Sequence, residues 1–214
     1  MSVAVEAAAV VAALDRLGVR RQRMTLDSRD IKPGDVFVAL PGSRVDGRQF
    51  VRAALDAGAA AVLQEAVGAD PATADARMLN LAGLSAQLGY IASEFYGHPA
   101  SGMRVFGVTG TNGKTSITNW LMQTYSALGL PCAAIGTLGV TLGERDWPTS
   151  NTTPDAVHLQ TILRDLRAAG AAAGDGADVV AGAAAAADES EGAVVVAVGV
   201  GFVVSPVGGF ILSE

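Results

Sequence analysis

Cysteine is almost missing from these 214 residues: Cys132 stands alone. One thiol cannot form an internal disulfide, so nothing points to an oxidising compartment. Cys132 reads as a small buried residue in an Ala-rich strand, because no histidine pattern supports a nucleophile. Only two histidines occur, His98 and His158, and no Cys/His spacing suited to a metal follows from them. His98 precedes Pro99 and reads as a turn residue. Aromatic residues make up 5% and charged residues 17%. Basic side chains are outnumbered 15 to 21, giving a net charge of -6. That balance lacks the clustered basic excess of a general nucleic-acid binder. The N-terminus has no basic leading region, and Glu6 and Asp15 interrupt its apolar run, so it does not read as a signal peptide. These absences leave an ordinary cytoplasmic chain, with no nucleic-acid partner, as the expectation.

What is present is apolar material, 50% of the chain, arranged in alternating periodicities. Residues 3–18 carry Ala, Val and Leu at helical spacing and stop at Gly18. Lys32-Pro33-Gly34-Asp35 is turn chemistry. Val36–Leu40 is a short apolar run between turn signals, as expected of a buried strand. Pro41-Gly42 and Asp46-Gly47 are further turns. A helix is expected over Phe50–Ala57, a strand over Ala59–Gln64, a polar connection over Asp70–Ala76 and a long helix over Leu79–Phe95. This alternation predicts an α/β layer structure. The run Gly97-His98-Pro99-Ala100-Ser101-Gly102 is linker-like, which places a domain boundary near residue 100 and divides the chain into 1–100 and 101–170. A strand over Arg104–Thr109, a helix over Ser116–Leu128 and a strand over Cys132–Ile135 follow. Residues 136–153 read as a polar loop, and Pro154–Ala169 as a helix with Thr153 as its N-cap.

Between that strand and helix lies Thr109 to Ser116, TGTNGKTS. A triphosphate is bound by many backbone N–H groups converging on one point. Gly110 and Gly113 allow the tight approach, and a helix N-terminus adds its positive dipole end. Lys114 would reach the β/γ-phosphates and Thr115 would offer a hydroxyl to Mg2+. The general phosphate-loop pattern places a glycine at 108, where this chain has Val108, so the loop belongs to a narrower form. A plain glycine turn with a surface lysine is the alternative.

TGTNGKT closely resembles the ATP-binding loop of the Mur ligases, which build the peptide stem of bacterial peptidoglycan. Three further segments resemble that family in the same order. DSRDIKPGDVFVALPG (27–42) is similar to its N-terminal substrate domain, SRVDGRQF (43–50) to its nucleotide-contacting loop, and NTTPDA (151–156) to its substrate-contacting turn. The resemblance covers about residues 20 to 170 and is closest to the type that adds the third residue, a diamino acid. It implies an N-terminal α/β domain for the UDP-substrate, followed by the first part of a P-loop α/β ATP domain with a parallel sheet. It also implies that Gly110, Thr111, Asn112, Gly113, Lys114, Thr115 and Ser116 hold ATP, with Lys114 catalytic and Thr115 near Mg2+. Leu26, Ser28, Ser43, Arg44, Val45, Asn151, Thr152 and Thr153 would contact UDP-MurNAc-L-Ala-D-Glu. Local alternatives stand beside these roles: a turn cap for Ser28, a solvated charge for Arg44, a helix entry for 151–153. The implied reaction forms an acyl-phosphate and then an amide with a diamino acid, meso-diaminopimelate ahead of L-lysine, in a monomer. A non-catalytic UDP-sugar or ATP-binding module and a folylpolyglutamate synthase-like ligase are the competing readings.

Past about Gly170 the resemblance ends. Residues 171–191 are nearly all Ala, Gly, Asp and Glu, and Gly192–Ser213 is uncharged and rich in Val and Gly. The length of that last run would span a bilayer, but its glycines and Pro206 argue against a membrane helix. The expectation is an aberrant Ala/Gly/Val tail, from a truncated or frame-shifted reading, behind an ATP domain holding only its first strands.

Overall fold

The computed structural model describes residues 3–42, 45–70, 74–101, 103, 105–108, 112–129, 132–136, 139–142, 145–147, 154–171 and 194–197. The chain divides into two compact units between Gly97 and His98.

In the first unit, helix α1 (Val3–Arg16) precedes strand β1 (Met24–Thr25) and strand β2 (Val36–Ala39). Helix α2 (Val51–Asp56), strand β3 (Ala61–Glu65), strand β4 (Met78–Leu81) and helix α3 (Leu84–Phe95) follow. The four strands form one parallel sheet in the order β1-β2-β3-β4. Strands β2 and β3 are buried along their whole length, as central strands of a sheet covered on both faces must be. Phe37, Ala39 and Val62 pack with Val51, Ala54 and Leu55 of α2. Strand alternation turns Val36, Val38 and Leu63 to the opposite face. Helices α1 and α3 pack on each other, and α3 also touches β3. Phe37 has no solvent exposure, so Phe37→Ala is expected to destabilise this unit by about 3–5 kcal/mol. Urea unfolding followed by circular dichroism measures that loss.

One expectation for this unit needs correction. Met78–Leu81 is a strand, where a long helix was expected to begin at Leu79 and run to Phe95. Met78, Leu79 and Leu81 are partly exposed, as an edge strand allows, and helix α3 begins only after Gly83, whose φ of 69° breaks the run. The 3-10 turn Gly47–Phe50 also precedes α2.

The second unit holds strand β5 (Val105–Val108), helix α4 (Lys114–Ala127), strands β6 (Ala133–Gly136), β7 (Gly139–Leu142) and β8 (Arg145–Trp147), and helix α5 (Ala156–Leu166). Its core sets Leu159, Ile162, Leu163 and Leu166 of α5 against Cys132, Ala133, Ile135 and Val140. Cys132 is buried, as read from the sequence. Residues 136–153 are not all loop. Strands β6, β7 and β8 form an antiparallel meander, which Gly139 enters with a φ of 112°.

Strand β9 (Val194–Ala197) lies between β5 and β6 and is antiparallel to both. The sheet order is therefore β5-β9-β6-β7-β8, where a parallel sheet lacking cover at its edges was expected. The physical reason lies in strand pairing. Val194, Val195 and Val196 are β-branched, and a strand in that gap pairs the ladder groups of both β5 and β6, which would otherwise be open edges. Part of the tail thus enters the fold. Among the described residues, no helix is long and apolar enough to cross a membrane.

Candidate functional site

The phosphate-loop candidate sits where strand β5 leads into helix α4. Gly110 and Thr111 lie outside the described residues. Gly113 is the N-cap of α4 with φ 79° and ψ -8°, a left-handed conformation that glycine adopts without a Cβ penalty. Having no side chain, Gly113 itself makes no side-chain cap to the first turn. Two other helix entries are capped by carboxylates. Asp155 caps α5, accepting from the Val157 and His158 N–H groups at 3.0 and 2.8 Å. Glu65 accepts from Gly83 and Leu84 N–H at the start of α3. A helix start with a glycine N-cap and a positive dipole end is suited to an anion.

Lys114 is the first residue of α4 and is half-buried, while Asn112, Gly113, Thr115 and Ser116 are exposed. The helix is pinned just behind the loop: the Thr118 hydroxyl donates to the Lys114 carbonyl at 2.6 Å, and Thr118 is buried. Among the described residues, no group of three or more His, Cys, Asp or Glu side chains could hold a metal. Thr115 offers a hydroxyl here, as does the neighbouring Ser116. That suits Mg2+, which keeps several waters and is held mainly by substrate phosphates.

The second set of candidates lies at the carboxyl end of the first sheet. Leu26 and Ser28 leave β1, and the 41–46 turn leaves the neighbouring parallel strand β2, so both segments emerge from the same sheet edge. In open parallel sheets that edge is where ligands bind. Leu26 and Ser28 are half-buried and Val45 is exposed. Ser43 and Arg44 lie outside the described residues. The 41–46 turn is closed by a bridge between Pro41 and Asp46 and by Gly42 N–H donating to Val45 O at 3.2 Å. Gly47 ends it, where a Cβ would stand 2.9 Å from the Leu40 carbonyl oxygen.

The turn at 27–30 is fixed electrostatically. Arg23 donates to Asp35 through Nε at 3.0 Å and Nη2 at 2.6 Å, and to Asp30 through Nη1 at 2.8 Å. It also donates from Nη2 to the Asp30 backbone carbonyl. Asp35 is buried and accepts from the Lys32 N–H as well. The Asp35 hydrogen bond, ahead of the opposing effect of burial, holds the Arg23 guanidinium well above its ordinary range. Asp27 caps the turn by accepting from the Arg29 side chain and backbone, which hold its carboxyl down at about 2.

Asn151, Thr152 and Thr153 lie outside the described residues. The helix that follows them corrects one expectation. The N-cap of α5 is Asp155, not Thr153, because Asp155 has the extended backbone and the carboxylate that accepts the first-turn N–H groups. An Asp directly before an apolar periodic run was the signal for it. The buried carboxylate Glu65 also passed unnoticed, since its partners are backbone groups distant in sequence.

Known proteins share this arrangement. The model described as "Mur ligase family, catalytic domain" matches residues 22–96, and "Mur ligase middle domain" matches residues 108–174. The UDP-N-acetylmuramoyl-L-alanyl-D-glutamate--2,6-diaminopimelate ligase of Pseudomonas syringae pv. tomato is 47% identical over 154 residues, which is 71% of this chain and 31% of that protein. The ligase of the same name from Coxiella burnetii is 41% identical over 148 residues, 69% of this chain and 30% of that protein. A solved structure of a UDP-N-acetylmuramoyl-L-alanyl-D-glutamate--2,6-diaminopimelate ligase superposes with a TM-score of 0.59 at 30% identity, covering 70% of this chain and 30% of that one. The chain thus spans less than a third of the length of these relatives. With matches on both units and in the family's order, the chain belongs to the Mur ligase family.

Proposed function

We propose that this chain carries the UDP-substrate and ATP portions of a ligase that joins a diamino acid, meso-diaminopimelate ahead of L-lysine, to UDP-MurNAc-L-Ala-D-Glu. The observation that carries the reading is the strand-to-helix turn at the start of α4, with Gly113 left-handed at the N-cap and Lys114 at the first helical position. The printed names of relatives 41–47% identical to this chain support the choice of substrate.

In this reading Gly110 to Ser116 cradle the ATP phosphates, and Lys114 contacts the transferred phosphoryl group. Thr115 contributes a hydroxyl to a Mg2+ ion, which offsets phosphate charge when bound. Leu26, Ser28, Ser43, Arg44 and Val45 hold the UDP end of the other substrate, and Asn151, Thr152 and Thr153 lie near its reacting end. The γ-phosphoryl group passes to the substrate carboxylate and ADP leaves. The diamino acid's amine then attacks the acyl carbon, phosphate leaves, the amine loses a proton and an amide remains. The protein's part is positioning and electrostatic stabilisation. We assign the chain to the cytoplasm, as a monomer with two ligands, ATP and the UDP-linked substrate.

Calorimetric titration of the chain with UDP-MurNAc-L-Ala-D-Glu tests the substrate half. One-site binding that UDP competes away is expected. Absence of binding in a chain that still binds ATP would remove that half of the proposal.

A further inference from the structure

The first unit repeats one device three times, at Asp27-Ser28-Arg29, Asp46-Gly47-Arg48 and Asp75-Ala76-Arg77. In each, the aspartate Oδ1 accepts from the arginine backbone N–H, at 2.9, 3.0 and 2.9 Å in turn. The same oxygen accepts from Nε at 2.9, 2.9 and 3.0 Å. Nη2 donates to Oδ2 at 2.7, 2.7 and 3.1 Å. The guanidinium is thus locked in a two-pronged fork two residues from its partner, and Nη1 is the one nitrogen left outside it.

Two of the three turns use that nitrogen in the same way. Arg48 Nη1 donates to the Val67 carbonyl just past the end of β3. Arg77 Nη1 reaches the Ala59 carbonyl just before β3, at 3.5 Å. Each fork therefore holds a neutral carbonyl oxygen at one end of the same strand. In the third turn, no group among the described residues accepts from Arg29 Nη1. Its side chain is 87% exposed, against 18% and 42% for Arg48 and Arg77. The turn leaves the carboxyl end of β1, and Arg29 adjoins Ser28.

We infer that Arg29 is a ligand-reading residue whose Nη1 takes a carbonyl oxygen of the uracil ring of a uridine nucleotide. This rests on the reading above that Leu26 and Ser28 face the UDP end of the substrate. Three arguments select a carbonyl over a phosphate. Its two counterparts both hold neutral carbonyls. Asp27 already balances the Arg29 charge, so the pair exerts little pull on an anion. The fork fixes the guanidinium plane beforehand, so a directional hydrogen bond forms with little loss of side-chain freedom.

The test is titration of the full chain and of Arg29→Ala with UDP and with UMP. A base contact predicts the same loss for both ligands, roughly 10-fold for one hydrogen bond from a charged donor. Arg29→Lys, which cannot rebuild the fork, is expected to lose as much. A loss confined to UDP, or full rescue by lysine, would mark a phosphate contact and overturn the assignment. Unchanged affinity in Arg29→Ala would overturn it while leaving the substrate reading intact. A wild-type chain that binds neither nucleotide would fail the substrate reading itself, and the Arg29 assignment with it.

Discussion

Lys114→Ala is expected to weaken binding of Mg-ATP by about 10- to 100-fold, the value of one charge-assisted hydrogen bond to phosphate. The position makes the effect separable from folding. Lys114 opens α4, and one interaction that ties this turn is made by its backbone carbonyl, which accepts from Thr118. Alanine keeps that carbonyl and is a better helix former than lysine. The melting temperature is expected to stay within a degree or two of the wild type, as for a substitution worth under about 0.5 kcal/mol. Calorimetric titration and a thermal melt of the same variant read the two quantities. Lost affinity with an unchanged melt supports the phosphate contact. A large drop in melting temperature, or an unchanged affinity, would mean that the lysine serves the fold alone.

Glu65→Ala is expected to cost the first unit about 2–4 kcal/mol, because it strands backbone donors gathered on a buried carboxylate. Glu65 is buried at the end of β3. It accepts from Gly83 and Leu84 N–H at 3.0 and 2.9 Å and from Val67 N–H at 3.3 Å. The charge also meets the positive end of helix α3. Burial alone would raise this carboxyl, but the Gly83, Val67 and Leu84 N–H groups outweigh it and hold it below the usual glutamate range. The sign follows. A carboxyl whose folded value is depressed contributes stability that is fully present above its unfolded value, about 4.3. That stability is lost as pH falls through the lower folded value. Glu65→Gln should therefore be clearly weaker than wild type at neutral pH and approach it in acid. Urea midpoints at neutral pH and near pH 3 make the comparison. A deficit that stays constant with pH would show that shape, not charge, is at stake.

The strand-to-helix setting of the candidate phosphate loop was legible in the sequence. Strand, glycine turn and helix start follow one another within a few residues, so the 109–116 loop announces its place from spacing alone. The same holds for β2, a short apolar run between two turns, and for α5, whose Val157, Leu159, Ile162, Leu163 and Leu166 are buried as their spacing implies. What escaped was non-local. Strand β4 is short and only half-buried, so its Leu residues merged with the helical pattern of α3. Strands β7 and β8 are carried by pairing with neighbouring strands rather than by apolar runs. Strand β9 is a run of valines whose partners, β5 and β6, lie far back in the chain, and nothing within residues 171–214 specifies them. The Asp-x-Arg forks were missed for a different reason: each looks like an ordinary surface charge pair until three are seen to share one geometry.

The most direct test of the account is an amide chemical-shift titration of the 15N-labelled chain with Mg-ATP. The account predicts that the largest changes fall on Gly110 to Ser116, at the start of α4, with the Leu26–Ser28 turn and β3 unmoved. Saturable binding whose changes cluster in the first unit, or no binding at all, would contradict it.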